Sequence, residues 1–589
     1  MDFSMKDVME AVNSMPYKPT KGNMDRLCRK LNIRTSYDSF RDLRENNAYY
    51  VDKTGVLEEY LVDKFDKAVL FARPRRFGKT LTMTMFRDFL DIRQKSLDIF
   101  DGLGIMENPY IVENYMNRYP VIFLSLKEIY GEGFENTFRN LQVIIAGYCK
   151  KIEDILDDSK ITAADKELFT ELEYQKADEA NTVAALDLLA RMLHDHYEKQ
   201  VFVIIDEYDV PMAKALGKPE YDRIRDVIEH MLSYVCKTND NVKGVILSGC
   251  FYTVKNSTYT GVNNITPYTV LSANFADAIG FTSDNVKKLL EDAELSEQYD
   301  IVSEWYDGYI FGREKMYCPW DVLLYVKSQL DGTYSKTMGP KSYWVNTSES
   351  SQNLIHGFLG KTEDVSERFE RLLAGESIDC IVDDALPYHK IYESGDNIWS
   401  ALLETGYLTK AVTEEMPLMP LRIPNREIQV VFRQEVWNYF QSKVDNTFVN
   451  DLVKALWTRN VQNAEEALNQ ILEATLSFYH EYREYSYHLI LDGFFTGKGY
   501  IVQSERETGY GRSDLIILDP ARKQGMILEL KHVDDESKLE TALNEASSQI
   551  VEKKYESQLK YEGYSTLLRY GIAFYDKKCL IGDVTAIKE

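Results

Sequence analysis

The sequence lacks a CxxC pair, and its seven cysteines (Cys28, Cys149, Cys236, Cys250, Cys318, Cys380 and Cys579) stand apart from one another and from any histidine cluster. That scatter excludes a zinc knuckle and a disulfide framework and suits free thiols in a reducing compartment. No apolar run approaches the roughly 18 residues of a membrane helix, and the opening MDFSMKDVME has no basic region followed by an apolar core. The expectation is a cytoplasmic protein without a membrane partner. Positive charge is also short: 69 Lys and Arg face 94 Asp and Glu, for a net charge of −25. A general electrostatic grip on nucleic acid is thereby disfavoured, because phosphate binding draws on Lys and Arg, so any such contact must be local. Two stretches are basic enough, Lys18 to Arg34 and Arg73 to Lys79. Internal repeats and low-complexity tracts are absent as well.

What is present is apolar and aromatic. Hydrophobic residues make up 44% of the 589, with 40 tyrosines, so a folded protein is expected and a single core is too small to hold it. Three or four units follow. After an N-terminal stretch with a helical pattern over Met24 to Leu31, strand-like runs at 67–74, 119–127, 201–209 and 242–250 alternate with amphipathic helices. Such alternation predicts a parallel sheet covered by helices. From about 285 to 425 the pattern turns helical and aromatic-rich without long strand runs, as in a lid or winged helix. A helical stretch over 464–495 leads to strand-like segments around 499–507, 513–519 and 525–533, a helix from about 536 to 560 and a last strand near 568–576.

Two motifs fit a phosphate site. Arg73-Pro74-Arg75-Arg76-Phe77-Gly78-Lys79-Thr80 follows the first strand and precedes a helix, which puts backbone N–H groups and a helix N-terminus around a phosphate. Lys79 would reach the β and γ phosphates and Thr80 a magnesium ion, although Arg73 replaces the first glycine of the usual pattern. VFVIIDEYD then ends a buried strand in adjacent carboxylates, with Asp206 expected at the magnesium shell and Glu207 at the attacking water. Ser248, closing the next strand, has two readings of equal weight: a sensor of the γ phosphate or an ordinary strand end. Arg223, Arg225 and Arg313 read as surface residues.

The C-terminal segment SERETGYGRSDLIILDPARKQGMILELKHV carries a second constellation. Strand alternation puts Glu529 and Lys531 on one face. With Pro520 to Lys523 as a four-residue loop, Asp519 pairs with Gln524 and Asp514 falls opposite Glu529. Carboxylates so close repel unless a cation separates them, and oxygen ligands suit magnesium or manganese. A metal there would activate water, with Lys531 steadying it or the developing charge. Glu484, Glu505, Gln549 and Tyr555 are nearby polar residues whose default is solvation or packing.

Tyr49-Tyr50-Val51-Asp52-Lys53-Thr54, RPRRFGKT, the strand ending in Asp206, Trp305 to Tyr309, Tyr317 to Trp320 and Gly406 to Thr409 resemble the bacterial AAA-ATPase-like family. Gly511 to Asp514 with Glu529-Leu530-Lys531 resemble the PD-(D/E)XK nuclease domain that its members often carry. Cys318 and Asp321 depart from the family's usual Asn and Ser. The resemblance implies an α/β chain: an N-terminal extension (1–35), a P-loop NTPase parallel-sheet domain (36–285), a helical, winged-helix-like lid (286–425), a helical connector (426–475) and a restriction-endonuclease-like domain (476–589). It further implies ATP, magnesium, with manganese also suited to the second site, and DNA or RNA as partners. A homo-oligomer stays open, as does a switch that binds nucleic acid or protein without cutting.

Overall fold

A computed structural model describes residues 31–62, 66–252, 262–330, 340–343, 368–369, 371–373, 375–384, 386–391, 393–411, 418–441, 444–475, 484–508, 511–552, 559 and 563–584. The helical pattern expected from Met24 falls, up to residue 30, outside them. Contacts divide the chain into two units. One contains residues 1–343 with 384–389 and 404–406, and the other contains the remainder.

The first unit is built on a five-stranded sheet in the order β2-β3-β4-β1-β5. Its strands are β1 (Ala68–Ala72), β2 (Val121–Ser125), β3 (Val201–Asp206), β4 (Val242–Gly249) and β5 (Ile265–Tyr268), and every neighbouring pair is parallel. Four of them are the apolar runs of the sequence. β1 and β3 are buried along their whole length, which requires helices on both faces and explains why these strands read as continuous apolar runs. Between them come helix α1 (Lys79–Leu90), which follows β1, α2 (Gly133–Cys149), α3 (Ala185–Tyr197) and α4 (Tyr221–Cys236). The 281–317 region adds a small antiparallel sheet of β6 (Phe281–Thr282), β7 (Tyr309–Phe311) and β8 (Glu314–Tyr317), followed by α5 (Pro319–Leu330).

In the second unit, short strands β9 (Ile378–Cys380), β10 (Thr409–Lys410) and β11 (Met419–Arg422) form one antiparallel sheet. The C-terminal sheet runs β12-β13-β14-β15-β16, comprising Ile501–Thr508, Gly511–Asp519, Gln524–His532, Thr566–Tyr575 and Lys578–Asp583. Only β14 and β15 are parallel. Parallel neighbours need a crossover, supplied here by α9 (Leu539–Glu552), once α6 (Asn446–Trp457), α7 (Val461–Thr475) and α8 (Glu484–Gly497) have preceded the sheet.

Parity along the hairpin divides its apolar residues between two cores. Leu515, Ile517, Met526, Leu528 and Leu530 pack with Leu452, Leu456, Leu468, Ile471 and Phe494 of α6 to α8. Ile516, Leu518 and Ile527 pack with Leu559 on the other face. The helices over 446–475, expected from sequence to be a connector, are therefore part of the C-terminal core. Among the described residues no helix is long and apolar enough to cross a membrane.

Candidate functional sites

The chain leaves β1 at Ala72 and turns into α1 at Gly78, whose φ of +103° is in the left-handed region that glycine tolerates. Lys79 and Thr80 are thus the first two residues of a 12-residue helix, where unbonded N–H groups and the helix dipole favour an anion. The Lys79 ammonium donates to the carbonyls of Arg73 (3.0 Å) and Pro74 (3.1 Å) and lies 3.6 Å from the Cys250 sulfur.

Because β4 lies between β1 and β3, the C-terminal ends of all three converge. The Asp206 carboxylate is fully buried there. It accepts from the Thr80 hydroxyl at 2.9 Å, the Ser248 hydroxyl at 2.6 Å and the Ser125 hydroxyl at 3.5 Å. Ser248 in turn accepts from the Glu207 N–H at 3.2 Å. Ser248 thus bonds the Asp206 carboxylate and the Glu207 main chain at once. Burial raises the Asp206 carboxyl above the usual range, opposed by hydrogen bonds from Ser248 and Thr80 and by the charge of Lys79. Glu207 is raised by burial too, against the pull of Lys79 and with the push of Asp206 and Asp209. Its φ of +52° is left-handed without being glycine, a strain that persists only where the surroundings determine it.

Three loop residues behave differently from phosphate ligands on a flexible turn. The Arg73 side chain is fully buried and donates to the carbonyls of Ala72 (2.9 Å), Tyr268 (2.6 Å), Thr269 (2.9 Å) and Phe275 (2.6 Å). It ties the start of the loop to the end of β5, and burial lowers it to about 10 against Glu404, Asp277 and Glu59. Arg76 lies over the Trp320 ring at 5.0 Å. Phe77 is buried against Tyr309 and Phe311, each at 5.1 Å. Arg75 alone of the three arginines lies near the acids: burial lowers its guanidinium, but Cys250, Tyr388, Asp209 and Glu207 raise it further. Pro74 contributes its carbonyl to Lys79.

Sequence reasoning did not single out Asp209 or Tyr388. Asp209 accepts from the N–H groups of Cys250 (2.9 Å) and Phe251 (3.2 Å) and from the Tyr388 hydroxyl (3.0 Å), and so ties the end of β4 to the acidic turn. The doubled acid pattern of DEYD was the available signal for Asp209; Tyr388, 179 residues away, had none. Arg223 is paired with Glu135 and Glu179, and Arg225 with Asp222 and Asp226, as surface residues would be.

Thr80, Ser125 and Asp206 form a set of hard oxygen donors, which fits magnesium.

In the C-terminal sheet, Asp519 pairs with Gln524 and Leu515 with Leu528, the register the four-residue loop predicts. Continued by one residue, it brings the backbone of Asp514 opposite Glu529. Glu529 is fully buried in β14, with Gly571 of β15 as its parallel partner. Lys531, two residues on, is partly exposed on the same face by parity. A Cβ at Gly571 would stand 2.8 Å from Ser547 Oγ and 3.0 Å from its N, so α9 covers this face closely. The side chains of Asp514, Glu505 and Glu484, and the whole of Tyr555, lie outside the described residues; Gln549 is on α9, partly exposed. Glu529 is thus a buried carboxylate with Lys531 on the same strand face, and carboxylate oxygen suits a hard divalent cation.

Comparison with known proteins agrees with this division. The chain is similar to the "Uncharacterized protein in vnfD 5'region" of Azotobacter chroococcum mcd 1, 25% identical over 397 residues, covering 66% of this chain and 67% of that one. Residues 34–259 match the family described as "Predicted AAA-ATPase", and residues 482–584 match the PD-(D/E)XK nuclease superfamily. Strands β1 to β4 of the parallel sheet lie within the first match and the β13–β14 hairpin within the second, so the chain is similar to a predicted AAA-ATPase over one stretch and to the PD-(D/E)XK nuclease superfamily over the other.

Proposed function

We propose that the protein binds and hydrolyses ATP at the first site and couples that cycle to metal-dependent cleavage of phosphodiester bonds in DNA or RNA at the second. The observation that carries the first half is the cluster in which Thr80 and Ser248 both donate to the buried Asp206 carboxylate beside Lys79. The N–H groups of Gly78 to Thr80 and the Lys79 ammonium receive the phosphates once Lys79 exchanges the carbonyls of Arg73 and Pro74 for them. Thr80 and Asp206 would hold magnesium, which when bound neutralises charge on the transferred phosphoryl group. Glu207, raised by burial but adjacent to Lys79, orients the attacking water and accepts its proton. Arg75 is the loop arginine whose charge is coupled to Glu207 and Asp209, and Arg73, Arg76 and Phe77 hold the loop's shape.

At the second site Asp514 and Glu529 would hold magnesium or manganese, which supplies an activated water when bound. Lys531 steadies the charge that develops on the phosphate. The domain limits we propose are those of the sequence, with the helices over 446–475 joined to the C-terminal domain. A cytoplasmic setting suits the buried free thiols, among them Cys149, Cys236 and Cys579.

A second reading has the net charge of −25 in its favour: an ATP-driven switch whose C-terminal domain binds nucleic acid or protein without cutting. One set of assays separates them. Purified chain is incubated with DNA and RNA panels, with and without ATP and magnesium, beside Lys79→Ala, Glu207→Gln and Lys531→Ala. Lys79→Ala abolishes ATP turnover, Glu207→Gln retains bound ATP, and Lys531→Ala loses cleavage at normal ATPase rate. Cleavage absent from every wild-type reaction leaves the switch, and equal loss of nucleotide binding in the first two variants overturns the division of roles.

A further inference from the structure

The left-handed φ of +52° at Glu207 is unfavourable for glutamate, so the turn that carries it must be held by its neighbours. At the start of the turn the Glu207 N–H donates to Ser248 Oγ at 3.2 Å, and the Tyr208 N–H donates to the Ser248 carbonyl at 3.0 Å. At its end Asp209 reaches back to β4, where one carboxylate oxygen, Oδ2, accepts from the N–H groups of Cys250 (2.9 Å) and Phe251 (3.2 Å). The Tyr208 hydroxyl adds a bond to the Phe251 carbonyl at 2.7 Å. The fit is close: a Cβ at Gly249 would come within 2.8 Å of both Asp209 Oδ1 and Tyr208 Cε1. All of these contacts join residues 207–209 to residues 248–251.

One further contact comes from far along the chain. The same Asp209 Oδ2 accepts a third bond, from the Tyr388 hydroxyl at 3.0 Å, and the Tyr388 ring packs on Phe251 with centroids 4.5 Å apart. Tyr388 opens a single 3-10 turn, Tyr388–Lys390, at the end of the stretch 384–389 that belongs to the first unit, whereas 344–383 and 390–403 on either side belong to the second. The first unit takes in 404–406 as well, where the buried Glu404 carboxyl is coupled in charge to Arg73. Burial and the Asp209 charge push the Tyr388 hydroxyl well above its usual range, so it keeps its proton and acts as the donor. Cys250 and Phe251 are neighbours on one loop and move together. The Tyr388 hydroxyl therefore fixes the Asp209 carboxylate from a second direction.

We propose that Tyr388 is a positioning residue for ATP hydrolysis: its hydroxyl, acting through Asp209, holds the 207–209 turn in the strained conformation that aims Glu207 at the attacking water. The proposal rests on the phosphate-site reading above and deepens it. Lys79 is held separately, by the Arg73 and Pro74 carbonyls, so nucleotide binding does not depend on Tyr388. Loss of the hydroxyl slows the chemical step and spares affinity.

The test compares ATP turnover with equilibrium binding of a non-hydrolysable analogue, adenylyl imidodiphosphate, in magnesium. The full chain is used as wild type, Lys79→Ala, Tyr388→Phe, Asp209→Asn, Glu207→Gln, and Tyr388→Phe combined with Glu207→Gln. Tyr388→Phe keeps the ring on Phe251 and is expected to lower kcat about tenfold or more, the scale of a misplaced catalytic group, with analogue affinity within about twofold of wild type. Retained analogue binding also reports a folded site. Asp209→Asn gives the same split. Because Tyr388 acts through Glu207, the combined variant is no slower than Glu207→Gln alone in single turnovers with enzyme in excess. Unchanged kcat in Tyr388→Phe, equal loss of affinity and kcat, full turnover in Asp209→Asn, or multiplied losses in the combined variant each overturn the proposal. The phosphate-site reading survives those results if wild type binds the analogue and Lys79→Ala does not. Wild type that neither binds the analogue nor turns over ATP removes both.

Discussion

Arg73 occupies the position where a phosphate loop usually has its first glycine, so restoring the glycine looks like an improvement. The structure argues the reverse for Arg73→Gly. The guanidinium donates to four main-chain carbonyls, those of Ala72, Tyr268, Thr269 and Phe275, at 2.6 to 2.9 Å, and stacks over Phe311 at 5.4 Å. Each buried carbonyl left without a donor costs about 1–3 kcal/mol. Removing a buried cation also returns its desolvation penalty, which is several kcal/mol. The net expected is about 3–5 kcal/mol, the usual result of deleting one partner of a buried charged network. The anchor between the loop and β5 is lost with it, so ATP affinity falls as well as stability. Urea unfolding of the full chain, followed with a probe in the N-terminal unit, reads the first, and ATP titration reads the second. An Arg73→Gly variant as stable as wild type and binding ATP as tightly would refute the brace.

Other outcomes follow from single contacts. Ser248→Ala removes the hydroxyl that orients Asp206 at 2.6 Å, worth about 1.5–3 kcal/mol for a charged acceptor, so half-saturating magnesium for ATP turnover rises about tenfold or more; an unchanged magnesium dependence would exclude that role. Burial lowers the Lys53 amine to about 8 against the pull of Asp277 and Asp52, so it is protonated and inert below that pH and free above it. Amine-selective acylation of Lys53, followed by peptide mass, therefore has a midpoint near 8, whereas a midpoint above 10 would contradict the buried setting. Gly571→Val pushes Ser547, and α9 with it, away from β15, costs about 1–3 kcal/mol and speeds hydrogen exchange over Leu539–Glu552 without altering ATP turnover; unchanged exchange would mean that the contact yields freely.

The parts of this fold legible in the sequence are those whose cause is local. β1 to β4 were readable because strands buried on both faces are continuous apolar runs, and the β13–β14 register because strand parity and a short turn leave one pairing that buries both apolar sets. β5 was not: Ile265-Thr266-Pro267-Tyr268 is four residues long, mostly half-buried and contains proline, which suits an edge strand and leaves little pattern. Lys79, Thr80 and Asp206 could be named from two motifs and Ser248 from the strand end that follows, but the hydrogen bonds from Thr80 and Ser248 to Asp206 depend on β4 lying between β1 and β3. The direction of Arg73 was hidden for the same reason, since its acceptors at Tyr268, Thr269 and Phe275 are about 200 residues further along. Tyr388, bonded to Asp209 across 179 residues, was hidden in the same way.

The strand order has a consequence during synthesis. Among the described residues β1 pairs with β4 and β5, so one of its edges stays open until residues near 249 have been made and the other until residues near 268. At about 5–20 residues per second, translation leaves AVLFA and the loop behind it waiting on the order of 10–40 s. β2 and β3 can pair with each other well before that, but the apolar strand that begins the phosphate loop stays open on both sides. The emerging chain thus leaves an open apolar edge beside the loop that leads into Lys79, and shielding of that segment by a chaperone on the ribosome would raise the share of the protein that reaches its native state.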